Sequence, residues 1–245
     1  MAAGPRILAF DTSAAHCAAA LLIGDRIVAE RFEPMAKGQA ERLMPMLEDV
    51  LADAGAVREE LDAIGVGTGP GNFTGVRIAV AAARGLSLAL GIPAVGVTGF
   101  EATRQRHAPG ERDLLVSFDT RGGGLAWQAF AEGRPWGAPR FAESDEAIVD
   151  ARFAGRPPTV VGENAARLAF RLTERDVDRP DDPFHHEPRA FDVVLNGGRA
   201  FDAVDIATVA AKTLAEGRDI PRPVPVYVRP ADALPPREAP PRVLP

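Results

Sequence analysis

Nine residues, Gly67-Thr68-Gly69-Pro70-Gly71-Asn72-Phe73-Thr74-Gly75, separate a short apolar run ending at Val66 from a long apolar, helix-like run beginning at Val76. A strand that passes into a helix through such a segment points to an α/β chain. Gly67, Gly69, Gly71 and Gly75 allow positive φ and close backbone approach, and Thr74 is placed to cap a helix whose free N–H groups and positive dipole end suit an anion. The segment therefore reads as phosphate-loop geometry, with a tight strand-to-helix connection as the equal alternative. Neither standard nucleotide fingerprint applies. No Gly-Lys-Ser/Thr follows the glycines, and Gly69-Pro70-Gly71 does not fit Gly-x-Gly-x-x-Gly.

At 245 residues and 46% apolar content the chain can bury one large core or two small ones. Its single cysteine, Cys17, excludes an internal disulfide and a multi-cysteine zinc site, and its apolar setting makes it a small core residue rather than a nucleophile. Residues 1–6 show no charged region leading into an apolar stretch, so no leader is expected, and no segment is expected to reach the roughly 18 apolar residues that span a bilayer. A cytoplasmic protein without membrane contact is expected. A net charge of −6 argues against an autonomous nucleic-acid binder, so any RNA role is expected to be indirect.

Along the chain, 7–11, 18–23 and 27–32 read as strands, with Gly24-Asp25 as a hairpin signal. A helix is expected over 39–54, from the spacing of Leu43, Met44, Met46, Leu47, Val50 and Leu51. A strand at 63–66, the glycine segment, a helix over 76–90 covered on nearly all sides, a strand at 94–97 and a helix over 100–106 follow. The same grammar then restarts with strands at 114–119 and 125–130. Phe10-Asp11-Thr12-Ser13 and Phe118-Asp119-Thr120-Arg121 share three residues at matching places, which reads as two related halves building a two-lobed phosphate clamp. The second half adds a strand at 159–161, helices over 164–172 and 204–216 and a Pro/Asp-rich loop over 179–188. The tail, with nine prolines between 221 and 245, leaves one short edge strand near 226–228 and an extended or disordered end. The division is a first lobe over 1–106, a reduced second lobe over 107–220, whose helix 203–217 can return to the first, and a Pro-rich tail over 221–245.

In order, Asp11-Thr12-Ser13, Glu41-Arg42-Leu43-Met44-Pro45, Gly69 through Arg77, Asp119-Thr120-Arg121 and Tyr227-Val228-Arg229-Pro230 resemble the bacterial TsaB (YeaZ) family. The resemblance covers residues 6 to about 130, thins over about 135–220 and returns near Tyr227. It implies a two-lobed actin-like, sugar-kinase and Hsp70-like ATPase fold, each lobe RNase H-like with a mixed sheet flanked by helices. It also implies a degenerate paralogue of the catalytic TsaD protein. Such a paralogue supports TsaD, together with the ATPase TsaE, while threonylcarbamoyl is moved onto N6 of adenosine 37 in tRNAs reading codons that begin with A.

The residues give physical grounds for a non-catalytic chain. A TsaD-like metal site needs His-x-x-x-His on one helix face, and the matching stretch is Gln39-Ala40-Glu41-Arg42-Leu43. His16 reads as a turn residue that could approach a phosphate or simply sit partly exposed, and His185-His186 as neighbours that point apart. No metal site is expected. Asp11 and Asp119 could hold Mg²⁺ or orient a water, or could define their turns by bonding nearby N–H groups. Vestigial nucleotide-binding candidates are Asp11, Thr12, Ser13, Gly69, Gly71, Thr74, Asp119, Thr120 and Gly162. No cofactor is required, with residual ATP or ADP and Mg left open. Partner-binding candidates on the two first-lobe helices are Met44, Leu47, Leu51, Arg77, Val80 and Arg84, with Met44 or Leu51 to glutamate expected to spare the fold. The partners implied are a TsaD-like paralogue as heterodimer and a TsaE-like ATPase, with a homodimer when the chain is alone. The alternative is a small ATPase or phosphotransferase of the same fold; no Ser/His/Asp or Cys/His set supports a peptidase.

Overall fold

Alternating apolar strands and amphipathic helices assemble into two five-stranded mixed sheets with helices packed against them. The computed structural model describes residues 4–120, 124–142, 159–169, 193–195, 200–217 and 219–228. Strands β1 (Arg6–Asp11), β2 (His16–Ile23) and β3 (Arg26–Pro34) form an antiparallel meander. α1 (Gln39–Asp53), β4 (Ala63–Gly67), α2 (Phe73–Leu90), β5 (Ala94–Val97) and α3 (Gly99–His107) follow. The sheet order is β3-β2-β1-β4-β5, with β4 parallel to β1 and β5 parallel to β4.

The second half repeats this arrangement. β6 (Leu114–Asp119), β7 (Leu125–Ala131) and β8 (Arg134–Ala142) form the meander, and β9 (Thr159–Gly162) and β10 (Val193–Leu195) add in parallel, in the order β10-β9-β6-β7-β8. Two copies of one RNase H-like topology make the actin-like, sugar-kinase fold. The shared Phe-Asp-Thr tripeptides end the two central strands, β1 and β6. The last described helix is α4 (Ala203–Ala215).

Sequence alternation decides which residues meet. On one face of the first sheet Leu8, Phe10 and Leu21 pack against Leu43, Met46, Leu47 and Val50 of α1 and Ala79 and Ala83 of α2. On the other, Ile7 and Ala9 share a core with Phe100 of α3, Ile206, Ala207 and Ala210 of α4, and Leu114, Val116 and Phe130 of the second sheet. Helices α3 and α4 are thus common property of both sheets. Phe118 meets Phe100 and Phe201 edge-on, at centroid distances of 5.1 and 6.1 Å. At Gly65 an added β-carbon would lie 3.3 Å from the Ala210 β-carbon, so a bare position on β4 lets α4 lie close. Asp202 caps α4 in a reciprocal box with Asp205, and Arg106 of α3 reaches both carboxylates at 2.5 and 2.7 Å.

The position of α2 is fixed by the glycine segment. Of its four glycines only Gly69 has positive φ, at 90°. The others serve close approach: an added β-carbon would collide with the Asp11 carboxylate at Gly67, with the Ser13 carbonyl at Gly71 and with the Thr12 carbonyl at Gly75. The Ser13 carbonyl also accepts the Asn72 amide at 2.5 Å, and the Thr12 hydroxyl donates to the Gly75 carbonyl at 2.7 Å.

Several expectations need correction. The cap of α2 is Asn72, whose side chain accepts from the Thr74 amide, so the helix starts at Phe73 and Thr74 lies inside it. It is not covered on nearly all sides. Only Gly75, Val76, Ala79, Val80 and Ala83 are buried, while Leu88 is 84% exposed. By length and composition alone α2 is apolar enough to cross a membrane, a property that a helix packed on a sheet can share. Strand β8 was not anticipated because Pro135, Gly137 and Pro139 break its pattern, which an edge strand tolerates. No strand forms at 226–228: Val226 makes one backbone bond, to the Thr68 carbonyl at 2.8 Å. The 179–188 loop, the end of the helix expected over 164–172 and the tail beyond 228 lie outside the described residues.

Two measurements check this packing. Ile206→Ala, at the junction of both sheets, should cost about 2–5 kcal/mol in urea unfolding. Gly75→Ala should cost more than about 2 kcal/mol, because a carbonyl blocks the new methyl, whereas Gly85→Ala, with open space around it, should gain about 0.5–1 kcal/mol.

Candidate functional site

The carboxyl ends of β1 and β6 carry the two Asp-Thr turns, and the structure gives them different surroundings. Asp11 is fully buried. One of its oxygens, Oδ2, accepts from the Ser13 amide at 3.1 Å, the Ser13 hydroxyl at 2.8 Å and His16 Nε2 at 2.8 Å. Its other oxygen, Oδ1, has no hydrogen-bond partner and lies against Gly67. Asp11 thus does turn chemistry, with the Ser13 amide as its local donor. His16 corrects the expectation of an exposed turn residue: it opens β2, is 7% exposed and has its ring 5.0 Å from that of Phe32. The Ser13 hydroxyl proton is held by the carboxylate rather than the imidazole, so no nucleophile–base pair forms here.

Thr12 and Ser13 are buried under the glycine segment. The amides of Asn72 and Thr74 are engaged within the chain, by the Ser13 carbonyl and the Asn72 side chain. Gly69 faces the Val226 carbonyl and Gly71 the Ser13 carbonyl. Loop and turn therefore close on each other.

Asp119 is exposed. Asn164 donates to its Oδ1, and Glu163 accepts its amide at 3.2 Å. Thr120 bonds through its amide to the Gly124 carbonyl at 3.0 Å, and its buried hydroxyl has no partner among the described residues. Gly162, at φ 110°, takes the Ser117 carbonyl where a side chain would clash. Gln39, where a metal-binding helix would place its first histidine, is buried and donates to the Met35 carbonyl at 3.1 Å. Among the described residues no group of three or more His, Cys, Asp or Glu is arranged to hold a metal ion. Burial pushes the Cys17 thiol up to about 11, which fits a core residue.

The six candidate partner-binding residues separate into three groups. Leu47, Leu51 and Val80 are buried, at 1%, 4% and 3% exposure, so they support the fold and cannot themselves be substituted as a surface. Leu51→Glu would bury a charge, which overturns the expectation that it spares the lobe. Met44 is 39% exposed on α1. Arg77 and Arg84 are exposed on α2 but already hold the segment 219–228: Arg77 Nε donates to the Tyr227 hydroxyl at 2.9 Å and Arg84 Nε to the Pro223 carbonyl at 2.8 Å. Arg77 also stacks 3.6 Å over the ring of Phe73.

The sequence reading missed the free face itself. Residues 77, 81, 84 and 88 recur at spacings of four, three and four, one stripe of α2, and all four are exposed. Expecting the 76–90 helix to be covered on nearly all sides hid Ala81 and Leu88, although the candidates Arg77 and Arg84 mark the same stripe in the sequence.

Comparison with known proteins follows the same outline. A family model described as TsaD, tRNA N6-adenosine threonylcarbamoyltransferase, matches residues 33–134. The tRNA threonylcarbamoyladenosine biosynthesis protein TsaB of Escherichia coli is 29% identical over 232 residues, covering 91% of this chain and 94% of that protein. TsaB of Bacillus subtilis is 39% identical over 121 residues, 48% of this chain and 51% of that protein. The solved structure of YeaZ from Pseudomonas aeruginosa superposes with a TM-score of 0.67 at 27% identity, covering 91% of this chain and 99% of that one. Near-complete coverage in sequence and in structure makes the chain similar along almost its whole length to the TsaB (YeaZ) family.

Proposed function

We propose that this chain takes part in forming N6-threonylcarbamoyladenosine on tRNA as a non-catalytic subunit, docking a TsaD-type threonylcarbamoyltransferase through the outward face of α2 and the adjoining edge of α1. The observation that carries the reading is the exposure of that face. A long apolar helix packs one side on the sheet and leaves Ala81, Gly85 and Leu88 uncovered, with Met44 also exposed on α1. Small residues at 81 and 85 let another helix approach closely, and Leu88 and Met44 supply apolar area. The turn at β1, closed on itself, supports a chain that positions a partner rather than performing the transfer.

In this reading a TsaE-like ATPase acts on the assembled pair, tRNA contact is made through the catalytic partner, and the isolated chain pairs with itself in the cytoplasm. No cofactor is required. Residual ATP or ADP with Mg would use the candidates at the strand ends, Asp11, Thr12, Ser13, Asp119, Thr120 and Gly162, with Gly69, Gly71 and Thr74 of the glycine segment. The second reading, a small ATPase or phosphotransferase, is favoured by one observation: the two Asp-Thr turns sit at equivalent ends of the two sheets. Steady ATP turnover by the isolated chain would support it.

The test is binding of purified wild type and variants to the TsaD-type protein of the same organism, by titration calorimetry, alongside tRNA modification with the complete set of proteins. Met44→Glu and Leu88→Glu should unfold like wild type and each lower affinity by at least about tenfold, because a charge must be desolvated at the contact. Leu51→Glu should fail in the unfolding assay first. Wild-type affinity in both surface variants would overturn the assignment.

A further inference from the structure

We propose that the α2 face selects a partner helix bearing carboxylates and discriminates by charge against a second copy of this chain. This rests on the docking role given to the face above. The 18 residues of α2 include Arg77 and Arg84 and no acidic residue, in a chain whose net charge is −6. Elsewhere Arg6, Arg31, Arg42, Arg58 and Arg106 each meet a carboxylate of their own chain. Arg77 and Arg84, like Arg104, instead donate to neutral oxygens among the described residues, and on the exposed stripe of α2 both do so through Nε. Among the described residues no hydrogen bond engages their terminal Nη donors, and a guanidinium fork matches a carboxylate in two parallel bonds.

The segment 219–228 sets the geometry. The Arg77 guanidinium stacks on Phe73 and donates to the hydroxyl of Tyr227, whose ring centroid is 5.2 Å from that of Phe73, and the Pro223 carbonyl holds Arg84. Fixing two long side chains before docking reduces the rotamer freedom lost on binding. Seven residues apart, the two arginines stand about 10 Å from each other along the helix axis, a spacing that carboxylates two turns apart on a facing helix can match.

A second copy offers a poorer match than a carboxylate-bearing partner, so the self-pairing of the isolated chain is the weaker of the two associations. In a two-fold contact the same patch meets itself, so Arg77 and Arg84 of one protomer would face arginines of the other. The α1 carboxylates that could relieve this are mostly engaged: Glu48 pairs with Arg58, Asp49 with Arg42 and Asp53 with Arg31, with Glu41 alone outside these pairs. Like charges at a contact penalise the wrong partner more than they strengthen the right one.

The experiment measures two affinities on the full-length chain: binding to the TsaD-type protein by calorimetry, and self-association by sedimentation velocity, each at about 50 and 500 mM salt. For the heterocomplex, Arg84→Glu should weaken binding by at least about tenfold, Arg84→Lys by less, and added salt should weaken wild type. For self-association, Arg84→Glu and added salt should leave binding unchanged or strengthen it. Wild-type affinity in Arg84→Glu, or a heterocomplex insensitive to salt, overturns the proposal. So does self-association that weakens in parallel, which would show Glu41 or another carboxylate of the copy engaging the arginines. The salt series uses unaltered protein and so decides the matter even where a variant misfolds. If wild type does not bind the TsaD-type protein at all, the docking reading itself falls and the charge rule falls with it.

Discussion

Two backbone carbonyls, those of Thr12 and Ser13, press onto Gly75 and Gly71, and much of the rest of the first lobe depends on that contact. It fixes where α2 begins and how it is rolled about its axis. The roll decides which residues enter the core, Val76, Ala79, Val80 and Ala83, and which stripe is left outside. It also brings the Thr68 carbonyl to Val226 and Phe73 to Tyr227, so the segment 219–228 is positioned by the same event. Side chains at 71 or 75 would move all of this at once, since the blocking atoms are backbone rather than the ends of flexible side chains.

A glycine-rich connection between strand and helix can serve an anion or the protein's own backbone, and sequence does not separate the two. Both uses need residues without a β-carbon, and both place free amides at a helix start. Here the carbonyls of the first turn occupy the close approaches, and the Asn72 and Thr74 amides have internal acceptors. The missing Walker lysine and the misfit of Gly69-Pro70-Gly71 to Gly-x-Gly-x-x-Gly are the sequence signs that this loop differs from a standard nucleotide cradle.

Legibility followed physical regularity. Strands β1, β4, β5 and β6 and helices α1 and α4 stood out because an unbroken apolar period states both the element and its buried face. The echo of Phe10-Asp11-Thr12 in Phe118-Asp119-Thr120 pointed correctly to two related halves, since both tripeptides end a central strand. Strand β8 was hidden because edge position, which excuses Pro135 and Pro139, is a property of the sheet and not of the segment. Leu47, Leu51 and Val80 looked available for a partner because a wide apolar arc does not say how much of it a sheet covers. That Asp11 is buried against His16 depends on a pairing between β1 and the start of β2, and no local pattern announces it.

Topological symmetry and chemical asymmetry coexist in this chain. Equivalent aspartates end equivalent strands, yet Asp11 is sealed by Ser13, His16 and Gly67 while Asp119 stands exposed beside Glu163 and Asn164. A clamp that works from both sides of a cleft needs both ends open to the same ligand, and sealing one removes that symmetry. The sealed turn is the one that seats α2, and α2 is the helix whose outer stripe is left uncovered. Within the first lobe, then, the residues that an actin-like enzyme would spend on a phosphate hold an external helix in register. The first lobe thus closes its strand end, the second leaves Asp119 exposed, and α2 turns Arg77 and Arg84 outward.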